Sequence, residues 1–290
     1  MISTRWAIAS AVIAVIVAPL IGGLLRGCDR KLTAHMQGRI GPPIIQPFYD
    51  VIKLFGKKPL VASKAQLVFA YGYLFLIITA VVFWAIRQDL LVLLFILGFA
   101  GICLVLGALS VKSPYSQFGG YRELLQLLSY EPILLLAAIP IALKSGGFPI
   151  ANIFEYGQPL LPDLWITFIA LLIALAIVMR KSPFDISSSE HAHQEIVRGV
   201  VTEYSGPYLA IIELGHWYEV ILLLAILGLF WVVGSLWWLS IVIPLACWFT
   251  MLITDNTCSR LTWSWMMKFA WGTGISLIAL NILLVNLGWM

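Results

Sequence analysis

Unbroken runs of Leu, Ile, Val, Ala and Phe recur along the chain without charge in their interiors and without two-residue alternation. Hydrocarbon offers the backbone no hydrogen-bond partner, so spanning segments are helices or strands of a closed barrel, and runs of this kind select helices. A hydrocarbon core of ~30 Å takes about 20 apolar residues per helix. Windows of that kind lie at Trp6 to Leu25, Gln66 to Ile86, Leu90 to Ser110, Pro132 to Leu143, Leu164 to Met179, Tyr218 to Gly234, Ser235 to Ile253 and Phe269 to Gly288. The fourth is too short alone and borrows residues from Leu124 to Glu131. The pattern predicts an all-α polytopic membrane bundle of about eight transmembrane helices, forming a single integral membrane domain over residues 1–290.

One polar connection, Arg26 to Lys64, carries its own helical signal. From Phe48 to Phe55 the apolar positions fall at helical spacing opposite Asp50 and Lys53, which predicts an amphipathic helix lying in the interface. Gly41-Pro42-Pro43 breaks the chain before it, and Pro47 suits a first helical turn.

Composition agrees with the membrane reading: 61% of residues are hydrophobic and 11% charged, with mean hydropathy +0.96, where a soluble domain carries roughly 25% charge. Charge then orients the bundle. With eight spans, one face collects Arg26, Arg30, Lys31, Arg39, Lys53, Lys57, Lys58, Lys64, Lys112, Arg122, Arg180, Lys181, Arg198, Arg260 and Lys268, and the other only Arg5, Arg87 and Lys144. By the positive-inside bias the first face is cytoplasmic, both termini face outward, and the expected location is the cytoplasmic membrane.

The carboxylates are skewed the same way, although that bias concerns Lys and Arg only. Asp29, Asp50, Glu123, Glu131, Asp185, Glu190, Glu195, Glu203, Glu213, Glu219 and Asp255 lie on or near the inward half. Several adjoin or enter apolar helices, where an unpaired charged carboxylate costs several kcal/mol, so pairing, protonation or contact with water is expected. The densest stretch, Arg180 to Tyr204, places Asp185, Glu190, His191, His193, Glu195 and Glu203 between two apolar windows. An imidazole titrates near pH ~6.5, so histidines among carboxylates can change charge near neutrality. The remaining inward acids at span ends, Glu131, Glu213 and Glu219, complete a set of proton-relay or coupling candidates. His216, beside Trp217 and Tyr218, is read as an interfacial side chain.

No metal centre is expected within the chain. Cys28, Cys103, Cys247 and Cys258 form no C-x-x-C pair, and His35, His191, His193 and His216 form no i, i+4 pair on a helix.

Three stretches together resemble one family, the membrane subunit that joins the peripheral arm to the membrane arm in respiratory complex I and in membrane-bound nickel–iron hydrogenases. They are Gln37 to Pro43 followed by Gln46 to Leu54; Arg122 to Glu131, ending Ser129-Tyr130-Glu131; and Pro183-Phe184-Asp185 followed by Glu195 to Gly199 and Thr202 to Gly206. The run after Asp185 is three residues longer than in quinone-reducing relatives and contains His191-Ala192-His193-Gln194-Glu195, which is most similar to the energy-converting hydrogenases of the Ech and archaeal membrane-bound types. The resemblance implies a membrane anchor and coupling subunit of a ferredoxin-dependent, hydrogen-evolving complex, without a self-contained active site. The nickel–iron centre and iron–sulfur clusters are then expected in partner subunits: hydrogenase large and small subunits and a ferredoxin-like iron–sulfur subunit, with antiporter-like membrane subunits moving protons or sodium. Arg39, Asp50, Lys53 and Arg122 become docking candidates for the peripheral arm. The alternative is a quinone-reducing subunit in which Gln37 to Lys53 frames a lipid-substrate channel. Nucleic acid has no place in either reading.

Overall fold

The computed structural model describes residues 4–187, 198–232 and 237–288. All its regular elements are helices: α1 (Thr4–Met36), α2 (Gln46–Phe55), α3 (Lys64–Ala85), α4 (Leu90–Leu109), α5 (Pro114–Ser145), α6 (Ile150–Tyr156) and α7 (Trp165–Val178). A 3-10 turn at Gly199–Val201 leads to α8 (Pro207–Gly228) and α9 (Leu239–Thr257). The last span joins α10 (Trp263–Phe269) to α11 (Ser276–Asn286) through a π-helical turn at Ala270–Ile275.

Among the described residues, seven helical segments are long and apolar enough to cross a membrane. The eighth expected span, α7, has 14 residues, about 21 Å against a core of ~30 Å. Its shortness has a cause: Arg180 and Lys181 follow at once, and their charges are matched inside the bundle by Glu123, Asp29 and Asp255. A polar interior supplies the missing depth.

The same compensation moves other boundaries. α8 starts at Pro207, eleven residues before the expected Tyr218, because Glu213, His216 and Glu219 are held within the bundle and do not mark a helix end. α9 correspondingly begins and ends later than the Ser235 to Ile253 window. α5 runs unbroken for 32 residues through Pro132 and Pro140. A proline takes its N–H out of the helix ladder and frees the carbonyl four residues earlier; for Pro132 that carbonyl is Leu128 O, which accepts instead from Trp271 Nε1 at 3.1 Å. α1, with 33 residues, extends past the core and carries Arg26 to His35 beyond it.

The two ends of the bundle differ. At one, Lys181 ties α1 to α9 through Asp29 and Asp255, and Arg180 ties α7 to α5. At the other, Leu90 and Ile150 exchange backbone bonds with Phe148 and Gln88, Lys144 pairs with Asp163 at 3.1 Å, and Asp89 caps α4 by accepting from the amides of Leu91 and Val92. Lys144 thus lies at the end of the bundle opposite Arg180 and Lys181.

α8 packs against α1, α2, α3 and α9. Its apolar window is 67% buried, against 17% for α1, whose exposed Ile13, Ile16, Leu20 and Leu24 form an outward stripe. Apolar burial drives helix association weakly in lipid, so close approach matters. Gly98 shows it: a Cβ there would collide with the Glu131 carboxylate, which lies directly on the α4 backbone. Gly199, at φ 22°, packs its backbone against Gly119 of α5 and seats the 3-10 turn on that helix.

Candidate functional site

A buried charged cluster sits where α3, α5, α8 and the end of α7 meet. α7 stops short and Arg180 takes a left-handed backbone conformation at φ 51°. Its guanidinium grips Glu123 by two bonds, Nη2 to Oε1 at 2.5 Å and Nε to Oε2 at 3.1 Å, the fork geometry that makes arginine–carboxylate pairs strong. Arg180 Nη1 also lies 3.2 Å from His216 Nδ1. That nitrogen is 3.1 Å from Glu219 Oε2 and 2.9 Å from the Tyr73 hydroxyl, and Tyr73 donates to Glu219 at 3.0 Å.

His216 Nδ1 therefore has two incompatible arrangements. Without a proton it accepts from Arg180 or Tyr73; with one it donates to Glu219, and the Arg180 contact becomes a meeting of two donors. Two carboxylates, Glu123 and Glu219, here share the surroundings of one guanidinium. The interfacial reading of His216 is overturned: it is a member of the interior cluster, since α8 continues through it toward the other end of the bundle. Tyr130, buried on α5, lies within electrostatic reach of Glu123, Glu219, Arg180 and Glu131.

A second network adjoins the first. Lys181 Nζ bridges Asp29 at 2.7 Å and Asp255 at 3.1 Å, and the Ser182 amide donates to Asp255 Oδ1 at 2.7 Å. Between the networks is a cavity of about 360 Å³ bordered by Asp29, Arg180, Lys181, Glu213, His216 and Glu219, polar enough and roomy enough for water. A second cavity, about 300 Å³, lies between α1, α2 and α8; Arg26, Arg30, Arg198, Glu213 and Trp217 border both.

Of the coupling candidates, Glu219 is in the cluster and Glu213 stands at the junction of the cavities without an ion pair among the described residues. Asp185 is buried, borders the first cavity and lies 3.7 Å from Arg260 Nε. Glu131 is half-buried against Gly98, apart from the bonded cluster, with Tyr130 between. Glu203 is half-buried in the turn before α8 and borders neither cavity. Glu190, His191, His193 and Glu195 lie outside the described residues.

Among the docking candidates, Arg39 is exposed and donates to Gln37 at 2.9 Å, and Lys53 is exposed on α2. Arg122 is turned toward its own chain at Ile186 O, 3.5 Å away. Asp50 accepts from Arg30 at 2.7 Å and Gln46 at 3.0 Å. Burial alone would raise its carboxyl, but these bonds and the charges of Arg30 and Lys53 outweigh it and hold the carboxyl below the usual range. A depressed folded value means that the latch between α1 and α2 is at full strength above the unfolded carboxyl pKa of ~3.9 and weakens as pH falls through the lowered value. Protease nicking in the loop before α2 should stay low down to about pH 4 and rise only below it; nicking that already rises near neutrality would show that another group sets the latch.

Several cluster members carry no signal as site residues in the sequence. Arg180 and Lys181 read there as topology charges, and Tyr73 is one aromatic in an apolar run. Glu123 and Glu219 stand out only as acids near span ends. Among the described residues no three His, Cys, Asp or Glu side chains converge on a metal-sized site.

The NADH dehydrogenase family model matches residues 8–286. The chain belongs to this family. Curated relatives include a subunit of the NADH-quinone oxidoreductase of Syntrophotalea carbinolica, 28% identical with 90% of this chain and 89% of the relative covered. The corresponding NADH-quinone oxidoreductase subunit of Magnetococcus marinus is 30% identical over 74% of this chain and 68% of its own. Among solved structures, a chain of an archaeal membrane-bound sulfane sulfur reductase superposes with a TM-score of 0.85 at 25% identity, covering 95% of this chain and 98% of that one. The family places the chain as a membrane subunit of a multisubunit oxidoreductase complex. The charged cluster is therefore a feature of a membrane subunit in a redox complex.

Proposed function

We propose that this chain is the membrane anchor and charge-coupling subunit of a ferredoxin-dependent, hydrogen-evolving nickel–iron complex of the cytoplasmic membrane, with both termini outside. The observation that carries this reading is the Glu123–Arg180–His216–Glu219–Tyr73 cluster beside a charge-lined cavity of about 360 Å³. Reduction and protonation in the docked arm would shift charge around the Asp185 end of that cavity, move the His216 proton between its two arrangements, and so change the field at Glu219, Tyr130 and Glu131. The element with two states is the His216 hydrogen bond; adjacent antiporter-like subunits would convert the change into proton or sodium movement. The residues around Arg39, Asp50, Lys53 and Arg122 would form the docking face, and Glu190, His191, His193 and Glu195 a contact-sensing loop. The extended run after Asp185 supports the hydrogenase subtype, and the likeness to a sulfane sulfur reductase is compatible with an arm whose electron acceptor is not a quinone.

The quinone-reducing reading has its own support in the NADH-quinone oxidoreductase relatives and in the two adjoining cavities that run from α2 to the cluster. Nickel analysis of the affinity-purified complex separates the two. Stoichiometric nickel with hydrogen evolution from reduced ferredoxin supports the first; a nickel-free complex that reduces a soluble quinone analogue overturns it.

Charge reversal at Arg39 and Lys53 together should release the peripheral subunits from washed membranes, because charges at an interface set register and specificity. Full retention of those subunits in the double variant would remove these residues from the docking face.

A further inference from the structure

The cavity between α1, α2 and α8 has an unbalanced lining. Arg30 is answered by Asp50 and Arg26 leans toward Asp29 at 3.5 Å. With Lys53, Lys57 and Arg198 the lining holds five cations among the described residues against two carboxylates, Asp50 and Glu213. The other wall is apolar, built by Pro47, Val51, Leu54, Leu209 and Trp217. On the same two elements, Ile45, Ile52 and Phe55 of the α2 region and Ile21 and Leu24 of α1 are exposed.

A basic recess opening between two outward apolar faces suits a ligand with an anionic head and an apolar tail. We propose that this cavity binds the phosphate of an anionic phospholipid, with its acyl chains lying over the exposed faces of α1 and α2. A neutral headgroup would leave the lysine and arginine charges unmatched, whereas a phosphodiester answers them and accepts several charge-assisted bonds. The proposal rests on the hydrogenase reading, because in a quinone-reducing complex the same recess would be part of the quinone route, and nickel analysis tests that reading separately. Its effect is to pin α2 against Trp217 of α8, on which Phe48 already rests edge-on with ring centroids 5.2 Å apart.

The test uses the intact, delipidated complex with dioleoylphosphatidylglycerol or dioleoylphosphatidylcholine added, read by native mass spectrometry on particles with full subunit stoichiometry. Phosphatidylglycerol should be retained in preference to phosphatidylcholine. Lys57→Gln should weaken that retention a few-fold and Lys57→Gln with Arg198→Gln about tenfold, while Lys57→Arg keeps it. Excess inorganic phosphate should leave the lipid in place. Equal retention of the two lipids, or of phosphatidylglycerol in wild type and Gln variants, overturns the proposal. Displacement by inorganic phosphate would assign the recess to a free anion, and a recess filled by an acidic segment of a partner subunit, seen as a cross-link to Lys57 that lipid does not suppress, would also overturn it.

Discussion

Replacing Arg180 with Leu is expected to remove the assembled complex from the membrane almost completely. The guanidinium grips Glu123 by two bonds and lies within reach of Glu219, and the Glu123 side chain is only 4% exposed. Removing one partner of a buried pair leaves the other charge without solvent or counter-ion, at a cost of about 3–5 kcal/mol, a large share of the stability of most domains. Removing both is far milder, so Arg180→Leu with Glu123→Leu should recover much of the lost assembly. Arg180→Lys keeps the charge but not the fork; it should assemble and couple poorly. The amount of complex on a native gel decides the matter, and wild-type levels for Arg180→Leu would mean that the pair contributes nothing to the fold.

Glu131→Gln is expected to separate two properties that the first substitution destroys together. The side chain is half-buried against Gly98, and amide and carboxylate have nearly the same shape, so packing of α4 on α5 should persist. The titrating group is lost. If the proposed function holds, ferredoxin-driven ion uptake by membrane vesicles should fall severalfold while the amount of complex and its dye-linked activity stay near normal. Equal ion uptake in both proteins would place Glu131 outside the path.

Much of the helical plan was legible because the apolar windows are long and lipid imposes a single answer on the backbone. The α2 helix was legible from periodicity between Phe48 and Phe55. Boundaries failed where charge enters the bundle. An acid or histidine in an apolar stretch looks like a helix end in one dimension, and Glu213, His216 and Glu219 looked so; three-dimensional partners let α8 run through them. α7 matches its window to within a residue at each end, but the window does not reveal that Arg180 is matched from α5, 57 positions away. The site was half legible for the same reason. Carboxylates are conspicuous in an apolar chain, which brought out Glu131, Glu213 and Glu219, but Tyr73 gains its meaning only from the 3.0 Å bond to Glu219 across two helices. No periodicity records a contact between positions 146 apart.

The most direct test of the coupling account is the number of ions moved per electron in sealed vesicles carrying Glu219→Gln. Glutamine can still accept the Tyr73 bond, so the bundle should assemble, but it carries no charge to draw the His216 proton. The account predicts near-normal electron transfer to an artificial acceptor with an ion-to-electron ratio close to zero. An unchanged ratio would contradict it.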